Sequence, residues 1–310
     1  MKATAHCAYR YRLGAWRRSG SCWHHRVQAR NHGGGASVNT ISFMSANYVA
    51  RPVNYNMTGG WGQGDQATND YFRPVDTFGE RFGALLRDIR AMGFDALDLW
   101  TAQLNPLWAS DGHIEAAREQ LQQHNLRVAS LAGWFGSSAE EFEANCRLAV
   151  ALGTDILGGT TSFVTKDRPA AVALLAKHNL RLGIENHPEK TPDELLAKIG
   201  DEGEGRIGAA VDTGWFGTQG FDAVEAISQL RQHLFHVHLK DVLAAGAHHT
   251  CRYGQGVVPV ERCVRLLREI GYNGAISIEH EPELFDPTED CVAGFQMVRS
   301  WLEIPEEHQA

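Results

Sequence analysis

Three carboxylates and one imidazole recur at the same point of four successive apolar runs. They are Glu185 in RLGIENH, Asp212 in IGAAVDTGW, His238 in LFHVHLKD and Glu279 in GAISIEHE. A carboxylate carried into a buried place is costly unless it is paired or binds a cation. Four such groups at equivalent strand ends read as one divalent-metal site. The set is hard, rich in oxygen and free of thiolate, which favours Mn²⁺, with Mg²⁺ or Co²⁺ as substitutes, one ion per chain. A cation there polarises a carbonyl. Glu185 and Glu279 are then the pair that can move a proton.

Strand alternation places all four on one side of the chain, because side chains point to opposite faces with period two. Leu182 and Ile184 oppose Gly183 and Glu185. Ile207, Ala209 and Val211 oppose Gly208, Ala210 and Asp212. Phe235, Val237 and Leu239 oppose His236, His238 and Lys240, and Ile276 and Ile278 oppose Ser277 and Glu279. Every candidate ligand shares the small or polar face.

Further candidates lie nearby. Lys240 shares the face of His238 and could stabilise oxyanion charge or simply pair with Asp241 or another carboxylate. His187 follows Glu185 at the rim. His249 and Arg252 fall in the loop after the seventh strand, where they could hold a substrate oxygen or face solvent. Trp100, Trp134 and Trp215 could wall a sugar ring or serve packing. Asp98 points inward on ALDLW, and Glu281 shares the phase of Glu279.

The elements that would position these residues alternate. Strands are expected near 41–49, 96–101, 127–133, 155–160, 181–186, 207–213, 234–240 and 274–280. Helices are expected near 77–92, 113–124, 138–152, 168–178, 191–199, 221–232, 259–270 and 287–302. Ser138 with Glu141 makes a capping-box pattern, and Pro169, Pro192 and Pro259 stand in first turns. Eight strand–helix units predict a (β/α)₈ TIM barrel, whose chemistry sits at the C-terminal ends of the strands. The stretch 50–76, with Tyr55, Trp61, Tyr71 and Phe72, is too long for a routine connection and reads as a lid or subunit-contact loop. Within it, Gly59 to Gly64 reads as loop rather than helix start.

The chain has 310 residues, 43% hydrophobic, with a net charge of −8. That balance argues against a nucleic-acid surface. No apolar run approaches the roughly 20 residues of a membrane span. Six cysteines without CxxC pairing suit reduced thiols in a cytoplasm. Residues 1–37 are Arg-rich, contain no acid and end in three glycines. They read as a transit peptide or as an artefact of start-codon choice. They are expected to be disordered or loosely attached, and a chain starting at Val38 is expected to fold as a single barrel domain over 38–310.

IEN, VDTG, HVHLKD, the GQG loop at 254–256 and IEHE together resemble the xylose isomerase-like barrel superfamily, in its sugar isomerase/epimerase group. The resemblance covers residues 40 to about 302 and implies the fold above, metal ligation by Glu185, Asp212, His238 and Glu279, and a small carbohydrate substrate. It implies a metal-dependent isomerase or epimerase working through an enediolate. HVHLKD is also similar to inosose dehydratases, which leaves a lyase acting by β-elimination on a keto-sugar or 3-keto-glycoside as the alternative. Many members carry a histidine three residues after the strand-six aspartate, and in the DNA-repair endonucleases of the superfamily it binds zinc. Here that position is Trp215, which cannot ligate metal. Tryptophan and acidity together disfavour an endonuclease, and the Glu185–Glu279 pair disfavours a non-catalytic sugar-binding protein. The lack of a phosphate cradle favours an unphosphorylated substrate. A homo-oligomer is compatible with the aromatic loop.

Overall fold

The computed structural model describes residues 39–303, so the expectation for residues 1–37 falls outside the described residues. Eight parallel strands pair in chain order and close on themselves: β1 (Ile41–Met44), β2 (Ala96–Trp100), β3 (Arg127–Trp134), β4 (Ile156–Thr160), β5 (Arg181–Glu185), β6 (Ile207–Asp212), β7 (Leu234–Leu239) and β8 (Ile276–Ile278). The closing pair aligns Ser42 with Ser277. This is a (β/α)₈ TIM barrel. Helices surround it: α1 (Trp61–Phe72), α2 (Val75–Ala91), α3 (Asp111–Gln123), α4 (Ala139–Leu152), α5 (Phe163–Lys166), α6 (Arg168–His178), α7 (Pro192–Ile199), α8 (Thr213–Thr218), α9 (Ala223–Leu230), α10 (Val260–Glu269) and α11 (Thr288–Glu303).

The aliphatic faces of the strands supply the layer between barrel and helices. Leu182, Ile184, Ile207, Val211, Val237, Leu239, Ile276 and Ile278 are buried in one apolar cluster with Phe142, Leu195 and Ile227 from the helices. The opposite faces carry Ser42, Ser130, Ser277, Gly158 and Gly183 toward the axis, so the polar side chains above them have room. Ser138 caps α4 as the sequence predicts, its backbone N–H donating to Glu141 and its hydroxyl accepting from Glu141 N.

Three elements differ from the sequence expectation. β1 stops at Met44 rather than 49, and Ser45–Tyr48 forms a 3₁₀ turn. Its small polar residues draw backbone groups away from the ladder. Ser45 Oγ accepts from Trp100 N at 2.8 Å, and Asn47 joins Ile278 O and His280 N at 3.0 and 2.8 Å. The stretch 50–76 is not an irregular loop, because it contains α1, and its glycine-rich segment does stand at a helix start. Gly64 sits inside α1 because a Cβ there would meet Met57 and Val49 side-chain atoms at 2.5 and 2.6 Å. A close approach thus places glycine where it reads as a helix breaker. Finally, β6 runs directly into the short α8.

Candidate active site

β5 to β8 end in polar side chains that converge on the barrel mouth. Asp212 is the register partner of His238, and His238 pairs with Ser277 one residue before the end of β8. Glu279 therefore lies just past the strand, its N–H bonded to Leu239 O. Glu185 Oε1 lies 2.7 Å from His238 Nδ1, and Glu279 Oε2 lies 3.5 Å from the same nitrogen. These three place ligand atoms within 4.8 Å of one another, and so do Glu185, His187 and Asp212.

Lys240 closes the ring. Its ammonium lies 2.6 Å from Glu279 Oε1, 2.9 Å from Glu281 Oε2 and 3.4 Å from Asp212 Oδ2. Its ion pairs are with these three carboxylates and not with Asp241. His187 bridges the other side, 3.3 Å from Glu185 Oε2 and 3.5 Å from Asp212 Oδ2. Of the four candidate ligands, three meet directly, and Asp212 joins them through Lys240 and His187.

Local chain geometry fixes each member. Asp212 is the N-cap of α8, and its Oδ1 accepts from Gly214 N at 2.8 Å and Trp215 N at 3.0 Å. That leaves Oδ2 for the site. Gly214 is needed because a Cβ would meet Lys240 side-chain carbons at 2.5 Å. Asn186 is fully buried and reciprocally bonded to the Asp212 backbone, N–H to Oδ1 at 2.7 Å and Nδ2 to O at 3.0 Å. It locks β5 to β6 at the depth of the site. Below, Asp98 on β2 is completely buried, with Oδ2 2.5 Å from His236 Nε2 and 3.8 Å from His238 Nε2.

The electrostatics follow from burial opposed by close charges. Burial works to raise Glu185, but the His187 and His238 imidazoles hold it well below the usual carboxylate range. Burial raises Glu279 well above that range, and Lys240 only partly offsets it. Burial works to lower His238, yet Glu185, Glu279 and Asp98 push it up to about 10. Lys240 is held well above its ordinary value by Asp212, Glu279 and Glu281 against the penalty of burial.

A cavity of about 540 Å³ opens above this ring. Its floor is Glu185, His187, His238, Lys240, Glu279 and Glu281, and Trp61, Trp100, Leu107 and Trp134 line it as well. Trp215, His249 and Arg252 do not line it. The Trp215 ring packs edge-on against His187 at 4.4 Å and its indole N–H donates to Glu189 O, so it backs His187 from outside. Arg252 pairs with Asp290 at 2.6 Å, which also holds His280. Asp241 is no acid of the site. Its carboxylate accepts backbone N–H groups from Val242, Gly254, Gly256 and Val258 at 2.9–3.1 Å. The GQG amides are thereby consumed in shaping their own loop, which leaves them unable to cradle a phosphate.

The donor set fits a divalent cation. Glu279 Oε2 is buried without a hydrogen-bond partner, and it faces the same imidazole nitrogen as Glu185. Three oxygen donors and one nitrogen suit a hard ion.

A family model for the xylose isomerase-like TIM barrel matches residues 86–301. The chain belongs to that family. An uncharacterized protein of Methanocaldococcus jannaschii is 29% identical over 147 residues, 45% of this chain, so the match spans about half (48%) of that relative's length. Among solved structures, the probable 3-DHS dehydratase of Bacillus anthracis superposes with TM-score 0.59 at 15% identity, over 84% of this chain and 98% of its own. The 3-keto-D-glucoside 4-epimerase of E. coli gives 0.57 at 15%, over 71% and 94%. A Mycobacterium smegmatis barrel in complex with magnesium gives 0.57 at 19%, over 74% and 90%. At these identities the likeness is one of fold. Among the described residues, no helix is long and apolar enough to cross a membrane.

Proposed function

We propose that this chain is a divalent-metal-dependent sugar isomerase or epimerase. The observation that carries the proposal is the placement of Glu185 and Glu279 on two sides of His238 Nδ1, at 2.7 and 3.5 Å, on the floor of a cavity of small-molecule size. Glu185, Asp212, His238 and Glu279 would hold one ion, Mn²⁺ or a close substitute. For all four to share it, the Lys240 ammonium shifts from between Asp212 and Glu279 toward Glu281. The bound cation supplies electrophilic polarisation of a substrate carbonyl. One glutamate takes the proton from the carbon next to that carbonyl. The electron pair of the C–H bond becomes the C=C bond of an enediolate. The other glutamate returns a proton to the opposite face, giving an epimer, or to the neighbouring carbon, giving an isomer. Lys240 steadies the developing oxyanion, and His187, backed by Trp215, orients a hydroxyl. The substrate is a small unphosphorylated carbohydrate. The chain's acidity speaks against nucleic acid as a partner, and cysteines without CxxC pairing suit a cytoplasmic protein.

Lys240 favours a second outcome from the same intermediate. Its ammonium, held by Glu281 at 2.9 Å, could protonate a group leaving from the β carbon, which would make the enzyme a carbon–oxygen lyase on a keto-sugar or 3-keto-glycoside. The two readings separate in one assay. With Mn²⁺ in D₂O, a panel of ketoses and keto-glycosides is expected to take up deuterium at the carbon next to the carbonyl. A rearranged sugar marks the isomerase and an unsaturated product the lyase. Finding neither uptake nor an unsaturated product across the panel would sink both.

Asp98 is a positioning residue on this reading. It hydrogen-bonds His236, and its charge lies 3.8 Å from His238 Nε2, from where a carboxylate can raise the basicity of the imidazole that faces the ion. Asp98→Asn is expected to weaken Mn²⁺ binding by roughly 10–100-fold, measured by calorimetry, with the barrel still folded. Unchanged affinity would confine Asp98 to its pair with His236.

A further inference from the structure

The cavity has two unlike halves. Its floor is the ring of charged groups described above. Its mouth is apolar and aromatic. Trp61, Leu107 and Trp134 are 43%, 60% and 55% exposed, and all three open into this one cavity. Of the ten large apolar side chains most exposed among the described residues, three therefore gather at a single opening. Trp61 leans on the buried Trp100 with ring centroids 5.5 Å apart, so the mouth continues inward as an aromatic wall. Exposed apolar surface concentrated beside a functional cleft marks a binding surface.

Three polar groups near this mouth are engaged within the protein. Asn105 Nδ2 donates to Asn69 Oδ1 at 3.2 Å, and its Oδ1 accepts from Leu107 N at 2.9 Å. Asp65 Oδ2 accepts from Asn69 Nδ2 at 3.3 Å. The Glu141 carboxylate is held by the Ser137 and Ser138 amides at 2.6 and 3.3 Å. These three are not free to meet the hydroxyls of a second sugar ring, which leaves Asn145 Oδ1 as the unpartnered buried acceptor of the lining above the floor. The charge above the floor points the same way: Asp65 and Glu141 are both acidic, so an acidic or phosphorylated aglycone is disfavoured.

We infer that the outer half is a subsite for a flat apolar aglycone, and that the substrate is a neutral keto-glycoside carrying an aryl group, its ring ketone supplying the carbonyl that the chemistry of the floor needs. This rests on the carbohydrate reading of the floor and names the class of sugar it takes. The sugar ring meets the carboxylate ring. The aryl group lies against Trp134 and Trp61, where it gains aromatic contact and buried area. Such remote binding energy, taken far from the reacting carbons, can serve to hold the sugar in its reactive position.

The test is binding, which needs no turnover. The Mn²⁺-loaded protein is titrated by calorimetry with the 4-nitrophenyl and methyl 3-keto-glucosides, each as both anomers, and with the 3-keto form of cellobiose. The aryl keto-glucoside is expected to bind about 10-fold more tightly than its methyl counterpart. Trp134→Ala should abolish that advantage while leaving methyl keto-glucoside affinity unchanged, and Trp134→Phe should restore part of it. Trp134 is more than half exposed, so neither change threatens folding. Equal affinity for aryl and methyl keto-glucosides overturns the aglycone subsite and leaves the carbohydrate reading standing. Failure of every keto-glucoside to bind overturns both. An advantage shown equally by the keto form of cellobiose assigns the mouth to a second sugar ring instead. A fall in solution mass on Trp134→Ala, read by light scattering, assigns it to contact with a second copy of the chain.

Discussion

Glu185→Gln and Glu279→Gln, each loaded with excess Mn²⁺, are expected to lose turnover by about 10²–10⁴-fold, the usual worth of general acid–base catalysis. Glutamine keeps the length of the side chain and one oxygen able to face a cation, and it loses the capacity to carry a proton. The fold should survive in both variants. At position 279 Lys240 keeps Asp212 and Glu281 as partners, and at position 185 His187 keeps Asp212. The measurement is exchange of the substrate proton with D₂O beside a metal assay on the same sample. If both variants, shown to be metal-loaded, exchange at the parent rate, the carboxylates are not the proton carriers. His187 and Lys240, which share the cavity floor, would then be the next groups to test.

Asp212→Ala should abolish tight metal binding, with an affinity loss beyond about 100-fold, since losing even a supporting group costs 10–100-fold. Asp212 also caps α8, so the substitution will lower stability by about 1 kcal/mol for that reason alone. Asp222→Ala separates the two effects. Asp222 caps α9 in the same manner, its Oδ1 accepting from Val224 N and Glu225 N at 2.8 and 3.3 Å, and it is not part of the site. It should cost similar stability and leave Mn²⁺ binding intact. Parent-like metal binding by Asp212→Ala would remove Asp212 from the ligand set.

Much of this architecture is legible in the sequence because period-two alternation is a local signal. Leu182 and Ile184 against Gly183 and Glu185 reveal a buried strand and its inward face at once, and the same phase repeats in β6, β7 and β8. The capping box at Ser138 and Glu141 is local too. What is hidden depends on tertiary approach. Gly64 reads as a helix breaker until the proximity of Met57 and Val49 is known, so α1 is missed, and with it the helix start that carries Trp61 to the cavity mouth. Asn186 is visible in IEN, yet its hold on the Asp212 backbone spans two strands. Arg252 has the composition of a substrate contact, and only the fold shows Asp290 beside it. Asp98 is recognisable as inward-facing, but its two histidines come from a strand 138 residues away.

The Lys240 ammonium, set among Asp212, Glu279 and Glu281, means that the barrel mouth neutralises part of its own charge. Three carboxylates brought together with no cation near them would repel one another and strain the strand ends that carry them. With an internal ammonium in place, the metal is not what holds the chain in shape, in contrast to small domains that exist as folded objects only when metal is present. On the metal-dependent reading proposed above, the chain would fold before its ion binds and acquire it afterwards, from whatever supply surrounds it. Loading would then be an exchange of one cation's grip for another's, and ion availability would set how much of the folded population is active without altering how much is folded.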